Sequence, residues 1–292
     1  TYQVCYRSKI RPAMTYPLPI TSMTDKQCDK IDKKLRPALL PALGYARNLP
    51  LGIVTGPLAD GGLDIHTTKN EQGIQKITKF AGHLRQGGRA SNMIRISLDW
   101  CQIIAGVSYP ILRYPDKKVP HEECCWIVNL REFLRQTGLS IDLTSTWTEP
   151  IQRDGDFHLM ERLGPPHSKL LATRINYCRL WLQVSRLSDI VHTDGKTILN
   201  AALYGDVLQH RRSTLTWPRI PCPPKSFFTI WRKALIKMLS VDGKKNTLRN
   251  PLGPWYNTTQ HIDWQQLYDP TTDQLLSRDT EWKNYRPHPA TG

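Results

Sequence analysis

Residues 70–88 read NEQGIQKITKFAGHLRQGG, and residues 89–106 continue RASNMIRISLDWCQIIAG. In the first stretch Ile74, Ile77, Phe80, Ala81 and Leu84 recur at three- and four-residue steps, which gathers them on one side of a helix. Gly87-Gly88 supplies the left-handed stop that a helix C-terminus favours. A second helix is expected to start near Ser91, with Ile94, Leu98, Trp100, Cys101 and Ile104 as its apolar set and Gly106 beyond its end. A third carries Trp126, Ile127, Leu130, Phe133 and Leu134 and stops at Gly138. These three are expected to pack as a helical layer, which makes the fold mainly α with short β elements, an α+β arrangement.

Working outward, Thr24-Asp25-Lys26-Gln27 has the capping-box form, and Cys28, Ile31 and Leu35 follow at helical spacing until Pro37 is expected to end the helix. Before it, Arg11-Pro12, Tyr16-Pro17 and Leu18-Pro19 predict an extended lead-in. Residues 49–63, rich in Gly and Pro, predict a loop with a short strand over residues 51–55. Downstream, a short helix is expected over residues 154–163, closed by Gly164-Pro165-Pro166. Ser168 is expected to cap a helix through Arg174 and Tyr177 that leads into a strand over residues 180–184, where Leu180, Leu182 and Val184 alternate. Thr193-Asp194-Gly195-Lys196 predicts a tight turn. Ser226 is expected to cap an amphipathic helix with Phe227, Ile230, Trp231, Ala234, Leu235 and Met238 inward and Arg232, Lys233 and Lys237 outward. Trp264, Leu267, Tyr268, Leu275, Leu276 and Trp282 predict a small C-terminal hairpin or cap. The organisation expected is a helical region at 1–110, a basic connecting region at 111–250 and a Trp-rich cap at 251–292.

Composition excludes several classes. With 292 residues, 39% of them hydrophobic and 22% charged, the chain has enough core-formers to fold and is not disordered. Its seven cysteines are odd in number and never spaced as C-x-x-C, which predicts reduced thiols in an intracellular protein of the nucleus or cytoplasm. There is no run of 18 apolar residues, and the stretch from Thr1 lacks the charged, apolar and small-residue succession of a secretory signal, so no membrane partner is expected, and the Asn257-Thr258-Thr259 sequon is expected to carry no weight. The sequence opens at Thr1 without Met, within what reads as folded sequence, and is expected to be a piece of something larger.

The net charge is +15, from 40 Lys and Arg against 25 Asp and Glu. It is uneven: residues 1–60 and 61–120 each carry nine basic against four acidic residues, residues 121–180 seven against eight, residues 181–250 twelve against four, and residues 251–292 three against five. Two basic regions on folded elements flank a neutral middle, a pattern suited to a polyanion.

The chemistry of known catalytic motifs is missing. There is no adjacent Asp-Asp, no G-x-S-x-G elbow, no P-loop and no G-x-G-x-x-G. Asp154-Gly155-Asp156-Phe157-His158 alternates three ligand-type side chains, which would share a face only if extended. Arg153 and Arg162 nearby favour capping and surface ion pairing instead. Pro115-Asp116 with Glu122-Glu123 lacks the Lys that would complete a nuclease site and is expected to be a charged surface loop. His121 with Cys124-Cys125 lacks zinc-ligand spacing, so buried thiols are expected.

Basic side chains do interleave with aromatics, at Arg174, Tyr177, Arg179, Trp181 and Arg186, then His210, Arg211, Arg212, Trp217 and Arg219, then Trp231, Arg232, Lys233 and Lys237. Trp181 and Trp231 are expected in the core. Expected nucleic-acid contacts are Arg85, Arg89, Arg95, Arg174, Arg179, Arg186, Arg211, Arg212, Lys225, Arg232, Lys233, Lys237, Lys244 and Lys245. Contact with ~6–8 phosphates would give a slope of log affinity against log salt of about −5 to −7.

A series of short motifs resembles the region downstream of the catalytic palm in reverse transcriptase polypeptides of non-LTR-like retrotransposons from microbial eukaryotes. They are Lys9-Ile10-Arg11-Pro12 with Tyr16-Pro17, Leu49-Pro50 with Gly56-Pro57 and Gly61-Gly62-Leu63, Gln72-Gly73-Ile74, His83-Leu84-Arg85-Gln86-Gly87, Arg131-Glu132-Phe133-Leu134, Arg153-Asp154-Gly155-Asp156, Asn176-Tyr177-Cys178-Arg179-Leu180, Ser188-Asp189-Ile190, Asp194-Gly195, Trp217-Pro218-Arg219 and Leu252-Gly253-Pro254-Trp255. The resemblance spans nearly the whole chain but includes no catalytic fingerprint: the palm's aspartates have no counterpart. It implies a thumb-and-connection unit that holds an RNA and DNA template–primer duplex, with thumb helices over residues 24–105 and a second contact surface over residues 174–245. The palm and fingers of a parent polymerase would be its protein partners. No cofactor is expected in this chain, since magnesium would belong to the absent palm. The alternatives are a divalent-metal nuclease using Asp154, Asp156, His158 and Glu161, and a degenerate retroelement fragment without activity.

Overall fold

The computed structural model describes residues 2–123, 125–143, 148, 150–151, 153–206, 217–241, 246–255, 264–269, 274–279 and 286–287. It is mainly helical. Compactness divides the chain into two units, Thr1–Leu98 with Glu123–Ser140, and Asp99–Glu122 with Ile141–Gly292. The chain thus passes between the units three times, once within the expected segment 1–110 and twice within 111–250.

In the first unit the N-terminal stretch is helical, from Tyr2–Cys5 through a π turn at Tyr6–Ile10 to Arg11–Thr15, and not extended. Pro12 stands at the start of its segment, where the wider preceding turn relieves the ladder of the missing N–H. Helix α1, Asp25–Ala42, begins at the expected capping box, with the Thr24 amide donating to Gln27 Oε1 at 2.8 Å. It runs through Pro37 and Pro41, contrary to expectation. Both prolines face solvent, while Leu39 and Leu40 are buried against Tyr6, Val54, Leu63 and Ile65. That packing outweighs a local cost of about 3 kcal/mol per interior proline.

Leu51–Thr55 is a short helix, not a strand. The Ile53 and Val54 amides donate back to Pro50, and the carbonyls of Ile53 and Val54 accept from Leu63 and Ile65 at 2.9 and 3.0 Å. Residues 56–65 therefore fold back over the helix end. The two backbones cross at Gly56 and Gly62, where a Cβ on Gly62 would lie 2.1 Å from the Gly56 carbonyl oxygen. The G-P and G-G pairs in this segment are required by that crossing.

Helix α2, Thr68–Gln86, is capped by Thr67 and held to α1 by Asp32, whose buried carboxylate accepts from the Thr68 amide at 3.0 Å. Helix α3, Gly88–Ala105, follows after Gly87 and Gly88, both at positive φ, and begins three residues before the expected start. Helix α4, Trp126–Thr137, ends at left-handed Gly138 as expected. α2 packs against both α1 and α4. Gly73 of α2 lies under the Phe133 ring of α4, 2.3 Å from where a Cβ would sit, so a side chain there would push the helices apart. α1 thus joins α2 and α4 in the layer, and the residues of α3 are shared between the two units.

The second unit is built on helix α5, Lys169–Leu182, and helix α6, Lys225–Leu239, which pack together with short helices at Leu159–Leu163 and Asn200–Tyr204. Leu159, Met160, Ile175, Cys178, Ile190, Ile198, Trp231 and Leu235 fill the shared core. Ser168 caps α5 as expected, but the helix continues to Leu182, and Gln183 reverses the chain at φ 60°. The alternation of Leu180, Leu182 and Val184 is that of a buried helix end and not of a strand. α6 starts one residue before Ser226, with Pro224 at the cap, and Phe228, Trp231, Ala234, Leu235 and Leu239 form its buried face. Phe227, Ile230 and Met238 lie at the margin of that face, half-buried. Helix is confined to Leu159–Leu163; Asp154 and Gly155 form a turn instead, and His158 makes an isolated antiparallel bridge to Arg186. The 193–196 turn is present, with Asp194 Oδ1 accepting from the Lys196 and Thr197 amides and Gly195 at φ 70°. The C-terminal hairpin is also present as β1, Trp264–Asp269, and β2, Gln274–Asp279, antiparallel with Leu267 opposite Leu276, joined by β3, Arg286–Pro287. Among the described residues no helix is long and apolar enough to cross a membrane.

Candidate nucleic-acid interface

Helix α6 leaves Lys225, Lys233 and Lys237 exposed outside its buried face, with Arg232 at the margin of that face, and its sequence, KSFFTIWRKALIKML, contains no acidic residue. From Lys225 to Lys237 the rise is about 18 Å. The lysines are exposed, and Arg232 lies half-buried with its guanidinium 5.0 Å from the Tyr204 ring centroid. Beside α6, Arg174 of α5 holds its guanidinium 5.3 Å from the Phe227 ring, and Tyr177 meets Phe227 edge-on at 6.5 Å. The basic and aromatic residues are therefore brought together across elements, and two of the ring partners, Tyr204 and Phe227, lie outside the sequence runs that first suggested interleaving. Trp231 is wholly buried, as expected, with its indole N–H donating to the Ala202 carbonyl at 2.9 Å, and Trp181 is half-buried.

Arg179 and Arg186 do not belong to this surface. Arg179 is fully buried and donates to the carbonyls of Ile103 (2.6 Å), Ile104 (3.1 Å) and Val184 (3.3 Å) and to Asn176 Oδ1 (2.7 Å). Its cation sits at the C-terminal ends of α3 and α5, where helix dipoles favour positive charge. Burial pulls its pKa down to about 9. Arg186 is 6% exposed and forms a buried ion pair with Asp189 at 3.0 Å while donating to the Pro150 carbonyl. Neither guanidinium faces solvent, so neither offers its charge to a phosphate. Arg211, Arg212, Lys244 and Lys245 lie outside the described residues. Arg85, Arg89 and Arg95 are exposed near the α2–α3 junction in the first unit.

Two of the candidate metal ligands, Asp156 and Glu161, are engaged in structural bonds. Asp156 accepts from the Phe157 amide and from both the amide and hydroxyl of Ser188. His158 is 3% exposed, and burial lowers its pKa. Glu161 accepts from the Ser108 amide and hydroxyl. Among the described residues no group of three or more His, Cys, Asp or Glu side chains is placed to hold a metal ion. Asp116 is exposed and Glu122 is buried in the second unit, while Glu123 belongs to the first. The Cys125 thiol accepts from the Val128 amide at the start of α4, Cys124 lies outside the described residues, and the described cysteines are free thiols.

The short motifs of the second unit fasten one another. Arg153 stacks 4.8 Å from the Trp255 ring and donates to the Gly253 carbonyl at 2.9 Å; the Gly253 amide donates to Asp154, and the Leu252 amide to Gly195. R-D-G-D, D-G and L-G-P-W thus form one clasp around residues 153–156, 194–195 and 252–255. In the first unit a basic run escaped the sequence expectation: Lys26, Lys30, Lys33 and Lys34 are all exposed along α1. Their four- and three-residue spacing, all of it before Pro37, was the available signal. No protein-family model, no curated protein and no solved structure matches this chain.

Proposed function

We propose that this chain binds nucleic acid through phosphate contacts centred on α6, and that it is the template–primer-holding, non-catalytic portion of a retroelement reverse transcriptase-like polypeptide. The observation that carries the binding role is the surface of α6, with three exposed lysines, a half-buried arginine, no acid and about 18 Å of reach. That span matches roughly five steps of a duplex rising 3.4 Å per base pair. The retroelement assignment rests on the motif series alone. The structural bonds made by Asp156 and Glu161 and the burial of His158 favour binding over metal-dependent cleavage.

With α6 and Arg174 supplying about four or five phosphate contacts, log affinity against log salt would fall with a slope of about −3.6 to −4.5. This is shallower than the sequence alone suggested, because Arg179 and Arg186 are interior. An electrophoretic shift of an RNA–DNA hybrid across a salt series measures it. Lys225→Gln, Lys233→Gln and Lys237→Gln together are expected to flatten the slope by about 2.7. Absence of binding at low salt, salt-insensitive binding, or an unchanged slope in the triple variant would refute the proposal.

A further inference from the structure

Residues 108–120, SYPILRYPDKKVP, form a segment of the second unit in which buried and exposed residues are interspersed. Ile111, Leu112 and Val119 are buried at 0, 2 and 8% exposure. The buried Gln102 amide donates to the carbonyls of Val107 (2.8 Å) and Tyr109 (2.9 Å) and accepts from the Ile111 amide (3.2 Å). Ile141 closes the other side by donating to the Leu112 carbonyl at 3.0 Å. The Arg113 and Tyr114 amides both donate to the Pro110 carbonyl.

This frame presents an aromatic pair flanked by cations. Tyr109 and Tyr114 meet edge to face at 6.1 Å, and Tyr114 is 40% exposed. The Lys117 ammonium lies 4.0 Å from the Tyr109 centroid and 4.9 Å from that of Tyr114, while the Arg113 guanidinium lies 5.5 Å from Tyr114. Lys118, next in sequence to Lys117, is exposed. Arg113 also approaches Asp142 at 3.5 Å, but both are about half exposed and the pair is screened.

A half-exposed ring held by a hydrogen-bonded turn, with ammonium and guanidinium groups over it, matches what an unpaired nucleotide offers: a flat π face next to a phosphate. The base can take the place of a cation over Tyr114 while that cation moves to the phosphate. Paired bases within a duplex expose no such face. We propose that Tyr114, with Arg113, Lys117 and Lys118, is a stacking platform for single-stranded nucleic acid. The proposal deepens the nucleic-acid-binding function but uses base stacking where α6 uses phosphates alone, so the two fail separately. Stacking carries no hydrogen-bond code, and the platform should tolerate any base.

The test compares a short single-stranded oligonucleotide carrying 2-aminopurine with an abasic oligonucleotide of equal length and charge, by fluorescence anisotropy at one low salt concentration. The full chain should bind the base-bearing strand more tightly and quench its 2-aminopurine. Tyr114→Ala should weaken that binding about ten-fold and relieve the quenching. It should leave the abasic affinity and the thermal melting curve unchanged, whereas Tyr114→Phe should behave as the parent chain. Equal effects of Tyr114→Ala on both strands, no effect on either, or failure of Tyr114→Phe would overturn the platform. So would equal competition by polyglutamate of the same charge, which would make the segment an acidic-peptide site. The α6 triple variant should weaken hybrid binding yet keep the preference for base over abasic strand. Loss of that preference in the triple variant would likewise overturn it.

Discussion

Replacing Arg179 by Met separates a structural guanidinium from a phosphate-binding one. The substitution removes the donor for the Ile103 and Val184 carbonyls and for Asn176 Oδ1, while Ile104 keeps a second donor in the Asn176 side-chain amide at 3.0 Å. Three buried acceptors lose their partner at about 1–3 kcal/mol each. Against this stands relief from burying a cation, an effect large enough to pull the Arg179 pKa to about 9. Replacing buried charge with an apolar side chain regains about 1–4 kcal/mol in comparable cases. The expected net loss is about 2–4 kcal/mol, read as a lower urea midpoint and a fall in Tm of about 5–15 °C for the transition of the second unit. Gly106 supplies an internal check. It sits at φ 63°, and a Cβ there would lie 2.7 Å from Arg179 Cζ. Gly106→Ala should therefore be strongly destabilising in the parent chain and less so once Arg179 is Met, so the two losses should fall short of additivity. Where the Arg179→Met protein is still folded, its affinity for an RNA–DNA hybrid should match the parent chain. An unchanged melting curve with a several-fold loss of affinity would refute the interior assignment and return Arg179 to the surface.

Gly62→Ala should destabilise the first unit by about 2 kcal/mol or more, because the backbone of Gly56 cannot yield as a flexible side chain would; a urea midpoint equal to that of the parent chain would contradict the crossing. His158 gives a pH signature. Burial, the largest influence, lowers its pKa from the ordinary 6.5, so the unfolded state binds the proton more readily. Its contribution to stability is complete above that ordinary value and is lost as pH falls toward the folded pKa, and a His158→Gln variant should show a flatter decline in urea midpoint between about pH 7 and pH 5. Parallel declines in the two proteins would count against a buried neutral imidazole.

The helices were legible where their signals were local. The capping box at Thr24, the glycine stops at Gly87 and Gly138 and the Ser168 cap all lie where the sequence predicts, because each acts within one turn. Errors arose where packing overruled propensity. Pro37 did not end α1, since Leu39 and Leu40 beyond it are core residues. Leu180, Leu182 and Val184 imitate a strand because the end of α5 is buried on several sides. The candidate interface was half legible: Lys225, Arg232, Lys233 and Lys237 follow from the amphipathic pattern of α6, whereas the ring partners Phe227 and Tyr204 come from pairings that no spacing reveals.

Arg174 and Arg179 show where the division falls. Sequence alone determined a mainly helical chain, most of its caps and stops, and its basic excess. It could not rank the arginines of one basic run, because periodicity records which residues share a face and not what that face meets. Five residues on a helix turn through about 140° from any starting point. Arg174 and Arg179 therefore had to point apart, and only the tertiary structure decided which turned inward. Arg179 went inside because the carbonyl ends of α3 and of its own helix converge there and need a donor that can reach several acceptors at once, which a planar guanidinium provides.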